Sequence, residues 1–173
     1  MKGTILLLTL CALTGAGVPV WAQKGPCTHS GWVQDKDKNG TNVRATPSPN
    51  GKIVKVFPFP KEDGEQVIVN TIGYNRGWLK IRFAETVGGT QLLDRVAWIS
   101  GDMVTASVET KNNKPATLYA GPTRKSRKVG TIPNDTLIAI AGFDCFGFSV
   151  SYKGKTGWLS RDDTCGNPVT TCP

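Results

Sequence analysis

One histidine stands in 173 residues. That excludes any site needing two or more imidazoles, and with it most histidine-built metal centres. No Gly-x-Ser-x-Gly turn and no phosphate-binding glycine loop is present, so the usual marks of serine hydrolases and nucleotide binders are missing. No Cys-x-x-Cys pair is present either, which removes the commonest zinc and redox spacings. No amphipathic stretch reaches useful helical length. The apolar run Ile5 to Leu13 is too short to cross a bilayer. Acidic residues are scarce, 13 against 21 basic, and the formal net charge is +8.

Turn formers are abundant. Gly 20 and Pro 11 are too many for a helix bundle and suit a turn-rich all-β protein. Residues 1–22 read as a secretory signal: Met1-Lys2 is the positive start, Ile5 to Leu13 the apolar centre, and Val20-Trp21-Ala22 the cleavage end. Lipidation at Cys11 is disfavoured by the bulky Leu10 before it. Cleavage after Ala22 leaves Cys27, Cys145, Cys165 and Cys172, an even number that predicts two disulfides in an exported chain. Three pairings are open. Cys165 and Cys172 are close enough to pair through Gly-Asn-Pro-Val-Thr-Thr, but the favoured set is Cys145 with Cys165 and Cys27 with Cys172, which would clip the chain ends together. No metal and no cofactor is expected, and His29 is expected to be an ordinary surface residue.

The chain repeats itself. Asn42-Val43-Arg44-Ala45-Thr46-Pro47 matches Thr117-Leu118-Tyr119-Ala120-Gly121-Pro122, and Val56-Phe57-Pro58 matches Thr131-Ile132-Pro133, both at an offset of 75. Gly73-Tyr74-Asn75 matches Gly142-Phe143-Asp144 at an offset of 69, and Ala97-Trp98-Ile99-Ser100 matches Gly157-Trp158-Leu159-Ser160 at 60. The falling offset puts two insertions in the first copy, one within Phe59 to Glu65 and one within Glu85 to Arg95. Two long copies imply two similar domains rather than a solenoid: residues 23–105 and 111–173.

Each copy reads as short strands. Ile53 to Phe57, Gln66 to Ile72 and Trp78 to Phe83 are rich in β-branched and aromatic residues. In the third, Leu79, Ile81 and Phe83 alternate with Trp78, Lys80 and Arg82, so the first set is expected to face a core. Phe148, Val150 and Tyr152 repeat that inward set. Asp35-Lys36-Asp37-Lys38-Asn39-Gly40 copies the first half of an EF-hand loop. Thr46 stands where that loop needs its bidentate Glu, and no helix signal flanks it. A hairpin turn at Asn39-Gly40 is the better reading.

Taken in order, these motifs resemble the bacterial SH3-like domain. Asn42-Val43-Arg44-Ala45 is similar to its first strand, Gly77-Trp78-Leu79-Lys80-Ile81 to its middle strand, and Gly157-Trp158-Leu159 to its closing unit. The resemblance covers about residues 28–104 and 111–164 and implies two small SH3-like β-barrels in tandem. It also implies a binding module, commonly attached to cell-wall hydrolases, that engages peptidoglycan or its stem peptides without catalysis of its own. Two departures matter. Ala97 replaces the closing glycine of the first copy, and Gly147 stands in the second copy where the first has Trp78.

The candidate ligand residues are therefore Arg44, Tyr74, Asn75, Arg76, Trp78 and Trp98 in the first copy. Trp78 is expected beside Tyr74 and Asn75. Arg124 and Lys125 join them from the basic loop Arg124-Lys125-Ser126-Arg127-Lys128. Charge is uneven: net +2 over residues 23–110 and +5 over 111–173. Such a cluster attracts anionic partners. Export makes nucleic acid a poor candidate and favours wall polymers or peptide carboxylates in the periplasm or outside the cell. Asp162-Asp163 belongs to a turn rather than a catalytic pair, and no enzyme activity is expected. The reading is a non-catalytic exported binding protein for peptidoglycan peptides or an envelope partner. Its alternative is an envelope adaptor with no wall ligand.

Overall fold

Among the described residues, thirteen segments of two to ten residues become strands, and the longer ones mostly alternate apolar with polar residues. The computed structural model describes residues 27–61, 65–170 and 172. The segment expected to be a signal, residues 1–22 with Cys11, lies outside them, as does part of the first expected insertion. In chain order the strands are β1 (His29–Val33), β2 (Thr41–Arg44), β3 (Ile53–Phe57), β4 (Val67–Asn75), β5 (Trp78–Thr86), β6 (Gln91–Ser100) and β7 (Val104–Val108). They continue as β8 (Ala116–Tyr119), β9 (Lys128–Ile132), β10 (Leu137–Asp144), β11 (Gly147–Tyr152), β12 (Lys155–Ser160) and β13 (Thr164–Cys165). Two 3-10 turns, Gly101–Met103 and Arg161–Asp163, precede β7 and β13. The protein is all-β.

Hydrogen bonding links the strands in the order β3-β2-β6-β5-β4-β1-β7-β10-β11-β12-β8-β9, with β13 also on β7. This is one antiparallel sheet. Its path does not close, so two separately closed barrels are not what the pairing describes. Beneath it lies one cluster of buried side chains running from Trp32 and Val43 through Leu79 and Ile99 to Phe148 and Leu159.

The repeat is written into the register. Trp32 of β1 lies opposite Ile68, and Ser107 of β7 lies opposite Leu137, so β1 and β7 correspond at the offset of 75 already seen. Val33 pairs with Val104 just as Val108 pairs with Thr164. Loop bonds repeat as well. Ala45 N–H donates to Lys52 O and Ala120 N–H to Arg127 O, while Gly101 N–H donates to Gly77 O and Arg161 N–H to Phe146 O. Strand β7 therefore serves twice. It closes the first copy, in the place β13 takes in the second, and it opens the second copy, in the place of β1. Along one edge it carries β1 at Val104-Thr105 and β13 at Ser107-Val108, while β10 takes the other edge. All five of its side chains are buried.

Several expectations change. Leu79 and Ile81 face the core, but Phe83 does not. A register shift between Ile81 and Phe83 passes the inward position to Ala84, which is fully buried. Phe148 and Val150 are buried as expected, with Tyr152 only half so. The insertion at Glu85 to Arg95 lengthens the β5–β6 hairpin. The second copy turns instead at Lys153-Gly154, both at positive φ (48° and 75°), the signature of a type I′ turn. Asp35–Gly40 is a turn but not a hairpin, because β1 and β2 are not neighbours. Its carboxylates serve their own loop: Asp35 accepts from Asp37 N–H and Thr41 Oγ1, and Asp37 accepts from Asn39 N–H.

The disulfides are Cys27–Cys145 and Cys165–Cys172, which corrects the favoured pairing on both counts. Pairing of β1 with β4 and β7 carries Cys27 to the β10–β11 turn, and β13 holds Cys165 away from that turn on β7. The tail then folds back locally, with Glu109 accepting from the Cys172 N–H at 2.7 Å. Two disulfides fit export to an oxidising compartment. Among the described residues no helix is long and apolar enough to cross a membrane.

Two stability measurements test this arrangement. The Cys27–Cys145 bond closes 118 residues and the other only 7. Loop-closure entropy then predicts a loss of about 5 kcal/mol for the double alanine variant of the first bond and about 2 for the second. Equal urea midpoints for the two variants would overturn this. Gly157 lies so close to β8 that a Cβ there would meet Tyr119 O at 2.6 Å and Leu118 Cγ at 2.7 Å. Gly157→Ala is expected to cost about 1–3 kcal/mol, although the first copy carries Ala97 at the matching place. A thermal melt unchanged by Gly157→Ala would refute that crowding.

Candidate functional site

Four strands, β2, β6, β5 and β4, carry the row of the first copy's candidate residues. Arg44 on β2 lies opposite Trp98 on β6, Trp98 lies opposite Lys80 on β5, and Lys80 lies opposite Gly73 on β4. The Lys80 ammonium sits 5.9 Å from the Trp98 ring centroid, within cation–π range. Arg44 is half-buried, and its Nη1 donates to the Gly51 carbonyl at 2.7 Å, which ties the guanidinium to the β2–β3 loop. Trp78, also half-buried, stands two residues from Lys80 on the same face, with Asn75 opposite it across the hairpin. Arg76 forms the tip of that hairpin with Gly77, both at positive φ (46° and 88°), and points away as an exposed charge.

Tyr74 goes elsewhere. It lies opposite Leu79, an inward residue, so the register separates it from the face that carries Trp78. Lys80 takes its place among the site residues. The alternation Trp78-Lys80-Arg82 was the signal for it, since the same period that buries Leu79 turns Lys80 outward beside Trp98.

Across the second copy the matching row reads Tyr119, Trp158, Ser149 and Gly142. Tyr119 and Ser149 stand where Arg44 and Lys80 stood, so both cations are gone. Phe146, from the β10–β11 turn, packs edge-on against Tyr119 with centroids 5.8 Å apart. Beside them Arg124 leaves the β8–β9 loop and binds back onto the 3-10 turn. Its Nη2 donates to Ser160 Oγ at 3.0 Å and to Asp162 at 3.1 Å, and lies 4.0 Å from Asp163. More than half of the Arg124 and Asp162 side chains stays in water, so the pair contributes at most about 1 kcal/mol. Burial raises the Asp163 pKa, Arg124 opposes that shift, and Asp162 adds to it.

Two clefts share this ion pair. One, of about 610 Å³, is lined by Lys111, Lys114, Tyr119, Arg124 and Asp162 among others. The other, of about 850 Å³, is lined by Arg124, Lys125, Phe146, Arg161 and the Cys27–Cys145 bond. Lys125 is exposed in the loop. The two adjacent carboxylates thus converge on one guanidinium, in a 3-10 turn, rather than lying apart.

His29 is buried rather than a surface residue. Its Nε2–H donates to the Asp144 carbonyl at 3.0 Å, and Phe143 and Phe148 flank the ring at 5.0 and 5.5 Å. Among the described residues, one group of possible metal ligands converges: Glu109 with Cys165 and Cys172. Its two sulfurs are bonded to each other.

Desolvation lowers the His29 pKa below its ordinary 6.5, with Arg161 adding to the shift and the Asp144 carbonyl opposing it. In the window below 6.5 the unfolded chain takes up a proton that the folded one refuses, so stability falls as pH falls through it. His29→Phe is expected to flatten the melting temperature between pH 7.5 and 5, once compared with the wild-type fall. A wild-type profile no steeper than the variant's would refute the assignment.

No protein-family model matches the chain, and no curated protein matches it. Among solved structures it is similar to NlpC2 from Trichomonas vaginalis, at 21% identity and a TM-score of 0.33, over 80% of this chain and 48% of that one. NlpC1 from the same organism is similar at 22% identity and a TM-score of 0.32, over 83% of this chain and 47% of that one. The chain spans about half the length of these structures.

Proposed function

We propose that this chain is an exported, non-catalytic binding protein built from two fused SH3-like units. In this reading it holds a peptidoglycan stem peptide against the outer face of its first unit, in the periplasm or outside the cell. The observation that carries the proposal is the cross-strand row Arg44–Trp98–Lys80 with Trp78 beside it. Aromatic faces take the apolar and sugar parts of such a ligand, and cations take its carboxylates. The SH3-like assignment draws support from the doubled register and from a 3-10 turn before the closing strand of each copy.

A binding role also accords with the reactive side chains. The four described cysteines are in disulfides, so none of them offers a thiolate. The imidazole donates to a backbone carbonyl between two phenyl rings.

A second reading has its own observation. The shared β7 fixes the two units relative to each other, and the first unit carries the lengthened β5–β6 hairpin, which suits an adaptor for an envelope protein.

Sedimentation with purified sacculi separates the two. Trp98→Ala and Lys80→Ala are each expected to weaken retention by about tenfold. Retention unchanged in both would move the site off the first unit's face. No retention of the wild type, with capture of a single envelope protein, would favour the adaptor. Incubation with muropeptides is expected to leave their masses unchanged, and turnover that persists through purification would end the non-catalytic reading.

A further inference from the structure

Folding breaks up the basic run Arg124 to Lys128. Arg124 is held by Asp162 and Ser160 on one side. Lys128 leaves in the other direction, as the first residue of the edge strand β9. There it meets two lysines from the far end of the sequence. Tyr152 and Lys155 lie opposite each other across the Lys153-Gly154 turn, and the Lys153 ammonium sits 5.4 Å from the Tyr152 ring centroid. The three lysines and the tyrosine surround a cleft of about 440 Å³ between β9 and the β11–β12 hairpin. Leu118 and Gly130, opposite each other on β8 and β9, line it too. No carboxylate is among its lining residues.

The first copy has the same place and closes it. Lys55 corresponds to Gly130 at the offset of 75, and Arg95 corresponds to Lys155 at the offset of 60. Arg95 Nη2 reaches across and donates to the Val54 carbonyl at 2.8 Å, tying β6 to the edge strand. In the second copy Gly130 leaves open what a side chain would fill, and Lys155 lies along it. The cleft is a feature of one copy, made by residues that differ between the two.

We infer that this cleft binds a carboxylated polysaccharide, with a sugar ring against Tyr152 and its carboxylates among Lys128, Lys153 and Lys155. The volume lies in the ordinary range of small-ligand clefts. Three unopposed cations raise the local concentration of an anion. An aromatic face with an apolar floor gives sugar C–H groups a place that a phosphate or chloride ion alone does not use. The site lies on a different surface from the Trp98 row and stands whether or not that row binds.

Polygalacturonate and neutral dextran serve as probes, titrated calorimetrically against the full chain. Polygalacturonate is expected to bind and dextran is not. Gly130→Lys puts the first copy's residue type at the floor of the cleft while adding a positive charge. It is expected to weaken polygalacturonate binding by about tenfold, where attraction by net charge alone would strengthen it. The pair Lys153→Asn with Lys155→Gln is expected to lose at least as much, since Asn keeps the left-handed turn. Lys36→Gln with Lys38→Gln removes the same charge from the exposed Asp35–Gly40 loop and is expected to stay within about twofold. Thermal melts of all variants control for folding. Unweakened binding in Gly130→Lys, equal losses for the loop pair and the cleft pair, or equal affinity for dextran would each overturn the inference.

Discussion

Everything in this molecule hangs on β7. One five-residue strand has neighbours along both edges, and it is the last strand of one copy and the first of the next. A strand used twice cannot hinge, because moving either unit would break its ladder and expose five buried side chains. The unbroken core cluster follows from the same fact. So does the position of the tail, which β13 binds to β7 and Cys172 to Glu109.

On that common frame the copies have diverged by single positions. Arg44 against Tyr119 and Lys80 against Ser149 decide whether the tryptophan row carries cations. Gly77 against Phe146 decides whether the second hairpin is a bare turn or an aromatic prop beneath Tyr119. Arg95 against Lys155 decides whether the hairpin is tied to the edge strand or stands beside a cleft. Each exchange leaves the backbone pairing unchanged, because outward side chains on a strand are not constrained by the core. A doubled fold can in this way offer two unlike surfaces.

Much of the fold was legible. β-branched and aromatic composition marked β3 and β4, period-two alternation marked β5 and β11, and the matched motifs at three offsets marked the repeat and the lengthened β5–β6 hairpin. The legibility stopped at particular residues. Phe83 fits the alternation, but a bulge beside it hands the inward position to Ala84. A bulge inserts a residue without altering composition, so period alone does not register it. Tyr74 sits next to Asn75 in the chain yet faces the other way. The correspondence of His29–Val33 with Val104–Val108 is faint in the sequence because only Val33 and Val108 are identical; the rest of the match lies in backbone pairing. Lys80 was visible as an outward residue, but only the register set it against Trp98.

The amino-acid order by itself determined the all-β class, the doubling and the even set of cysteines in the described chain. These depend on local propensity, on turn formers and on self-similarity, all of which act along the chain. Tertiary structure alone decided which cysteines pair, that His29 is buried, that β7 is shared, and that Lys128 joins Lys153 and Lys155. Those outcomes depend on which strands become neighbours across gaps of tens of residues. Neighbours across a sheet are chosen by register and by the packing of the common core, and neither is expressed in any single segment.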